Sequence, residues 1–521
     1  MKTSVCGRKF LTFRTTPPAA GGCFILLLMS PQLPVAAPDT LVQLTAAAPA
    51  APTPNRYQAQ FDALCAHAPV LRAEDAAARG RRLHKLATWL TSNRVAIQQA
   101  LFADFRKPPA ESDLTEIWTS LTAVKHTLNN LKAWMRPRPV SAPLSLLGTR
   151  SWVQVEAKGV VLIIAPWNYP FYLALDPLVS ALAAGNCCVV KPSELTPNVA
   201  ALLSRLAREL FPENEVLVVE GDKDVATELL RLPWNHIFFT GSPQVGKIVM
   251  RAAAEHLSGL TLELGGKSPA VVDETANLRD AAEKIVWGKF LNAGQTCVAP
   301  DYVLVQQDVR DELLREMQAA IERLYNPGGA GIQASDSFAR IVNSHHFRRL
   351  AALLEDAQTR GATVVRGGTL VEADSYIEPT ILTDVPASAR LLEEEIFGPL
   401  LPVLTFRQLP EVVAYVNARL APLAQYFFTQ SAANRELLLG AIPAGGAAVN
   451  ETIIHLTHPE LPFGGVGNSG VGRAHGRAGF LAFSNEKGVM RQRVGMTAIK
   501  TMYPPYTGRV QRLVDMLMKY F

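Results

Sequence analysis

Four short apolar runs between residues 159 and 240 constrain this fold more than anything else in the chain. They are Gly159–Ala165 (GVVLIIA), Cys187–Val190 (CCVV), Glu215–Val219 (EVLVV) and His236–Thr240 (HIFFT). Each is too short for a core helix and rich in β-branched or aromatic residues, so each reads as a buried strand. The run Tyr172–Ala184 between the first two has helical character. Strand, helix, strand in this rhythm predicts an α/β fold with a parallel sheet covered on both faces. A second strand–helix series begins after about residue 262, with Pro269–Val272, Arg279–Leu291 and Tyr302–Val305, and continues to about residue 450. Ahead of both, Arg79–Leu90 and Leu114–Trp134 carry helical spacing, and Arg136-Pro-Arg-Pro139 stops the second helix. At the far end, Arg509–Phe521 aligns Val510, Leu513, Val514, Leu517 and Met518 on one helical face, expected to pack on the body or on a partner subunit.

Composition narrows the function. A chain of 521 residues, 48% hydrophobic and 19% charged, builds sizeable cores in two or three domains. Its formal charge of +5 is largely carried by residues 1–55, where Lys2, Arg8, Lys9 and Arg14 face Asp39 alone. The remainder is too balanced for an electrostatic nucleic-acid reader. Six cysteines in this length make no disulfide scaffold. No apolar run reaches the ~18 residues of a membrane span. The stretch Cys23–Met29 with Val35-Ala36-Ala37 has the outline of an export signal, but Pro17, Pro18, Gly21 and Gly22 interrupt it. Residues 1–55 are therefore expected to be a disordered extension of a cytoplasmic protein. No metal and no internal repeat are expected.

Four segments hold residues that packing does not explain. Ala165-Pro-Trp-Asn-Tyr-Pro170 follows a buried strand, where open parallel sheets form their ligand crevice. There Asn168, between Trp167 and Tyr169, can donate its amide to a ligand oxygen or merely cap a turn. Asn292-Ala-Gly-Gln-Thr-Cys297 leaves a helix through Gly294 and puts Cys297 on a loop, a candidate nucleophile or an incidental thiol. Leu262-Glu-Leu-Gly-Gly-Lys267 ends an apolar strand with Glu263, whose burial would raise its pKa towards that of a general base, unless it pairs with Lys267. Phe238-Phe-Thr-Gly-Ser-Pro-Gln-Val-Gly-Lys247 places glycines at a strand–helix turn suited to a phosphate. The literal G-x-G-x-x-G match at Gly465–Gly470 follows no expected strand and is set aside. Lys191 and Glu194 after the second strand suit ribose hydroxyls or an ordinary solvated pair.

Taken in order, Pro-Trp-Asn, Lys-Pro-Ser-Glu, Phe-Thr-Gly-Ser, Leu-Glu-Leu-Gly-Gly-Lys, Gly-Gln-Thr-Cys, Glu395-Ile-Phe-Gly-Pro399 and Leu461-Pro-Phe-Gly-Gly465 resemble the aldehyde dehydrogenase superfamily from about Tyr57 onward. Asn468-Ser469-Gly470 looks like its class 3 branch, and Trp134-Met-Arg-Pro137 with Cys297-Val-Ala-Pro-Asp-Tyr302 most like bacterial coniferyl aldehyde dehydrogenases. The resemblance implies a Rossmann-type NAD-binding domain over 57–262, a catalytic domain over 263–455, and a return to the cofactor domain with an oligomerisation segment over 456–521. A bridging segment near 140–157 would join subunits as a homodimer. It implies Cys297 as nucleophile, Glu263 as general base and Asn168 as oxyanion donor. Lys191 and Glu194 would hold the adenosine ribose, Gly241, Ser242 and Gly246 the pyrophosphate, and Glu395 and Phe397 the nicotinamide side. NAD is the expected cofactor, with NADP open. Trp167, Tyr169 and Phe463 would line the pocket of an aromatic aldehyde such as coniferyl aldehyde, or of a medium- or long-chain aliphatic one. The rival from another class is a cofactor-independent cysteine acyl-hydrolase, which would rely on a histidine near Cys297.

Overall fold

In the computed structural model, which describes residues 55–143, 146, 148–495 and 498–520, the four apolar runs are strands of one sheet. The N-terminal extension, with Cys6 and Cys23, lies outside the described residues apart from its last position. The sheet runs Val216–Val218, Cys187–Lys191, Val160–Ile164, His236–Gly241 and Gly259–Leu264, all parallel, with Gly470–Val471 added antiparallel at the edge. Residues of the first strand alternate between two cores. Val161 and Ile163 meet Leu83, Leu178 and Phe480 on one face, while Val160, Leu162 and Ile164 meet Leu64, Ile237 and Val249 on the other. Burying both faces is what gives an unbroken apolar run in place of polar alternation. Each fully buried aliphatic side chain contributes about 1.5–3 kcal/mol.

From Val160–Ile164 the chain lays its next two strands to one side, then crosses to lay His236–Gly241 and Gly259–Leu264 on the other. The strand order therefore reverses between Val160–Ile164 and His236–Gly241, and the crevice of such a sheet opens at the carboxyl ends of those two strands. Pro166–Asn168 and Gly241–Ser242 are the residues that follow them.

The second series forms a seven-stranded sheet in the order Thr363–Arg366, Thr380–Thr383, Leu400–Phe406, Tyr302–Gln306, Pro269–Val272, Ala424–Phe428 and Gly446–Val449, parallel except at the first pair. A separate antiparallel sheet joins Arg138–Val140, Thr149–Ala157 and Ser484–Gln492. The strand Gly259–Leu264 is continuous, and Gly265 and Gly266 follow it. The helix expected from Leu114 starts earlier, as the α-helical turn Pro109–Ser112, passes through a π-helical turn, Asp113–Ile117, and is α-helical again over Trp118–Trp134. Among the described residues no helix is long and apolar enough to cross a membrane, and no cluster of potential metal ligands exists.

Candidate active site

A cavity of about 550 Å³ opens at the crevice. Of the residues singled out from sequence, Trp167, Asn168, Tyr169, Gly241, Ser242, Glu263, Cys297, Glu395, Phe397 and Phe463 line it, whereas Lys191, Glu194 and Gly246 stand outside.

Cys297 reaches the cavity because the chain leaves the helix Leu278–Phe290 through three consecutive left-handed residues, Asn292 (φ 52°), Ala293 (φ 52°) and Gly294 (φ 78°). A Cβ on Gly294 would stand 2.3 Å from the Gly398 carbonyl oxygen, so only glycine fits there. Polar side chains then tie the turn down. The Asn292 amide donates to the Asn168 carbonyl at 2.8 Å, and the Gln295 amide donates to the carbonyls of Asn292 and Arg340, each at 3.0 Å. Val342 donates its backbone N–H to the Gln295 side-chain oxygen at 3.0 Å. The Asn168 amide donates one N–H to the Gln295 carbonyl at 3.0 Å, which leaves its second N–H for a ligand. Tyr169 and Thr296 share a hydroxyl hydrogen bond of 2.7 Å. The Tyr169 hydroxyl thus holds the cysteine loop.

Burial pushes the Cys297 thiol up to about 12, with Glu395 and Glu263 adding negative charge nearby; the backbone N–H groups of Cys297 and Val298 pull the other way. Glu263 lies in the strand Gly259–Leu264 at 5% exposure, and neither carboxylate oxygen has a hydrogen-bond partner. Burial drives its pKa well above the usual carboxylate range, Arg473 opposes the rise and Asp176 adds to it. Gly464 (φ 154°) makes the room, since a Cβ there would lie 3.2 Å from the Glu263 Oε1. Lys267 does not pair with Glu263. It meets Asp301 and donates to the carbonyls of Leu391 and Glu394, each at 2.8 Å, pinning the loop before Glu395. Glu395 accepts the Gly266 N–H at 3.1 Å, and burial beside Asp301 raises it to about 8. Trp167 stands between His346 (4.9 Å) and Phe397 (5.3 Å, edge-on).

The crevice fits a dinucleotide. Ser242 caps the helix Pro243–Glu255, accepting the Val245 N–H at 3.4 Å, so a helix N-terminus faces the switch point. Gly241 leaves the space there to the Phe239 ring, which a Cβ would meet at 2.5 Å. Gly246 lets the same helix approach the sheet, because a Cβ would sit 2.8 Å from Leu264. Lys191, buried at the end of its strand, donates to Glu194 at 2.7 Å, and Glu194 is 42% exposed. The members of the pair bond each other.

Sequence reasoning missed several supports. Lys107 and Glu116 form a fully buried ion pair of 2.7 Å, and Glu116 also accepts the N–H groups of Phe171 (3.1 Å) and Tyr172 (2.8 Å). The Lys107 ammonium lies 3.9 Å over the Tyr169 ring. Gln295 appeared only as a letter in a motif, and nothing in its neighbourhood signalled three hydrogen bonds. His475 and Asp176, both in the cavity wall, are nearly 300 positions apart, and no local pattern links them.

Comparison with known proteins agrees with this geometry. The model of the aldehyde dehydrogenase family matches residues 30–489. The 4,4'-diaponeurosporen-aldehyde dehydrogenase of Staphylococcus aureus is 44% identical over 438 residues, covering 84% of this chain and 94% of that protein. Aldehyde dehydrogenase family 3 member B3 of Mus musculus is 41% identical over 437 residues, covering 84% and 90%. The substrate-bound structure of Staphylococcus aureus AldH superposes with a TM-score of 0.85 at 42% identity, covering 89% of this chain and all of that one. A structure of PnpE in complex with nicotinamide adenine dinucleotide superposes with a TM-score of 0.77 at 27% identity, covering 84% and 90%. With its sheets, its crevice and most of its length shared with these proteins, the chain belongs to the aldehyde dehydrogenase family and is an NAD(P)-dependent oxidoreductase.

Proposed function

We propose that this protein oxidises a large apolar aldehyde to its carboxylic acid through a covalent adduct on Cys297. The observation that carries the reading is the convergence on one cavity of a loop thiol, a buried carboxylate without a partner and an amide with a spare donor. As its S–H proton passes to cavity water, the Cys297 sulfur bonds the carbonyl carbon and the carbonyl π pair moves to oxygen, giving a thiohemiacetal. Its oxyanion is met by the spare Asn168 N–H and the Cys297 backbone N–H, donors already fixed before reaction. A bound nicotinamide would supply the hydride acceptor, and loss of hydride from that carbon leaves a thioester on Cys297. Glu263 then takes a proton from water, the water oxygen joins the acyl carbon, and the acid leaves. Ser242 and Gly241 would hold the pyrophosphate, Lys191 and Glu194 the adenosine ribose, and Glu395 and Phe397 the nicotinamide side. An acidic Glu194 at the ribose favours NAD over NADP.

For the substrate, the wall beyond Cys297 is apolar, with Leu114, Trp118, Leu173, Trp287, Ile454 and Leu456. This favours a long or conjugated hydrocarbon tail, in keeping with a 44%-identical relative named for 4,4'-diaponeurosporen-aldehyde. Coniferyl aldehyde is the second reading, favoured by the Trp167 and Phe463 rings. The Tyr169 hydroxyl, committed to Thr296, gives a phenolic substrate no added bond.

The test is pre-steady-state. Mixing enzyme, NAD and a long alkenal should release one equivalent of reduced nicotinamide per site. Cys297→Ala should release none. Glu263→Gln should release the first equivalent and then stall at the thioester. Full turnover by Cys297→Ala would overturn the mechanism. Comparing kcat/KM for a long alkanal, benzaldehyde and coniferyl aldehyde ranks the substrates, and a clear preference for coniferyl aldehyde would replace the apolar-tail reading.

A further inference from the structure

Glu263, read as the base, must shed its proton once per cycle, and the inference here rests on that reading. Its two oxygens have no protein partner, so the proton must cross the cavity to another group. The cavity wall offers one constellation. His475 Nε2 lies 3.3 Å from the Tyr172 hydroxyl and 3.7 Å from Asp176 Oδ2, and its ring stacks on Phe463 at 4.9 Å and 11°. His475 is 8% exposed and Asp176 5%, a buried carboxylate beside a buried imidazole. The backbone of His475 is held at φ 66°, an unusual conformation for a residue with a Cβ and one that clusters at functional sites.

The same Tyr172, Asp176 and His475 also line a second, smaller cavity of about 20 Å³, room for one water. His126 lines that cavity as well, and its Nε2 stands 3.2 Å from Glu460, which is 63% exposed. Tyr172, Asp176 and His475 thus line both cavities, and His126 joins the smaller one to exposed Glu460. The other charged groups around it are accounted for. Arg473 donates to the carbonyls of Gly465 and Gly472, each at 2.7 Å, and steadies the Glu263 anion. His455, close to His475, is held down to about 4 by burial, so it stays neutral and does not compete.

We propose that His475, backed by Asp176, relays the proton of Glu263 through His126 to Glu460 and solvent. In deacylation a water O–H bond breaks, its oxygen bonds the acyl carbon and its proton goes to Glu263. Cavity water carries that proton to His475, whose imidazolium is balanced by the Asp176 carboxylate. An imidazole accepts on one ring nitrogen and releases from the other, so the proton passes on without any change of oxidation state.

His475→Gly tests this, because glycine adopts φ 66° without strain and leaves room for added imidazole. The first equivalent of reduced nicotinamide should appear at close to the parental rate, which shows that Cys297 chemistry is intact. The steady-state rate should then fall by about 10²-fold, the low end for a proton-transfer group. Added imidazole should restore much of it, and the solvent deuterium effect on the slow phase should grow. Asp176→Asn should slow the same phase and shift its pH profile. Unchanged turnover in both variants would overturn the relay. So would a slow phase in His475→Gly that imidazole leaves untouched, since that marks a packing role. Loss of the first equivalent in the parent enzyme would instead refute the reading of Cys297.

Discussion

Two carboxyl groups, Glu395 and Glu263, lie close enough to Cys297 to act on its thiol, and burial raises both. Burial raises Glu395 to about 8, so it is neutral below that pH and charged above it. After burial, it is the largest influence holding the Cys297 thiol up. The sign follows: once Glu395 ionises, it makes thiolate formation harder. Glu395→Gln should therefore raise the rate of Cys297 alkylation by iodoacetamide at pH 9 several-fold. Near pH 6 the variant and parent should react alike. Equal rates at both values would mean that Glu395 does not sense the thiol. Sequence made the identity of these groups legible, because Cys297 stood on a polar loop and Glu263 ended an apolar strand. It left open whether Glu263 pairs with Lys267. That depends on Asp301, 34 positions further on, which takes the lysine instead.

The helix Tyr172–Ala184 starts four residues after Asn168, and its first N–H groups are met by the Glu116 carboxylate from another part of the chain. Glu116 is in turn neutralised by Lys107, both at 0% exposure. Breaking such a pair by changing one member costs about 3–5 kcal/mol, because the other charge is stranded. Glu116→Gln keeps an acceptor for the helix but strands Lys107. Urea unfolding should show a loss in that range, and adding Lys107→Met should recover a good part of it. No recovery in the double variant would mean the two residues act separately. Strands such as Val160–Ile164 and Cys187–Lys191 were legible because burial on both faces writes an unbroken apolar run. The edge strand Gly470–Val471 was not, since two residues beside a glycine-rich loop carry no periodicity. The Asn292–Gly294 turn was only half legible: Gly294 announced a helix exit, but left-handed Asn292 and Ala293 are imposed by hydrogen bonds from distant residues.

Across the whole molecule the two large sheets meet at Gly265 and Gly266, and the cavity draws on residues from both series. Ligand that binds only the assembled crevice should stabilise the fold by about 2.7 kcal/mol at a hundred times its Kd. Thermal unfolding of the parent and of Cys297→Ala should shift upward equally with NAD, because the thiol is read as chemistry and not as cofactor binding. A shift lost in Cys297→Ala would place the sulfur in the cofactor site. The sequential alternation of strands and helices made the two parallel-sheet series legible, and Glu263 and Leu264 close the last parallel strand of the first.

Glu263 pairs in the sheet with Gly470, and the space for its carboxylate is left by Gly464. Both arrive after Val449, the last residue of the second sheet. A nascent chain that has left the ribosome only that far carries its sulfur but not the finished chamber around its base. Translation order thus delivers the sulfur before the segments that flank the buried carboxylate.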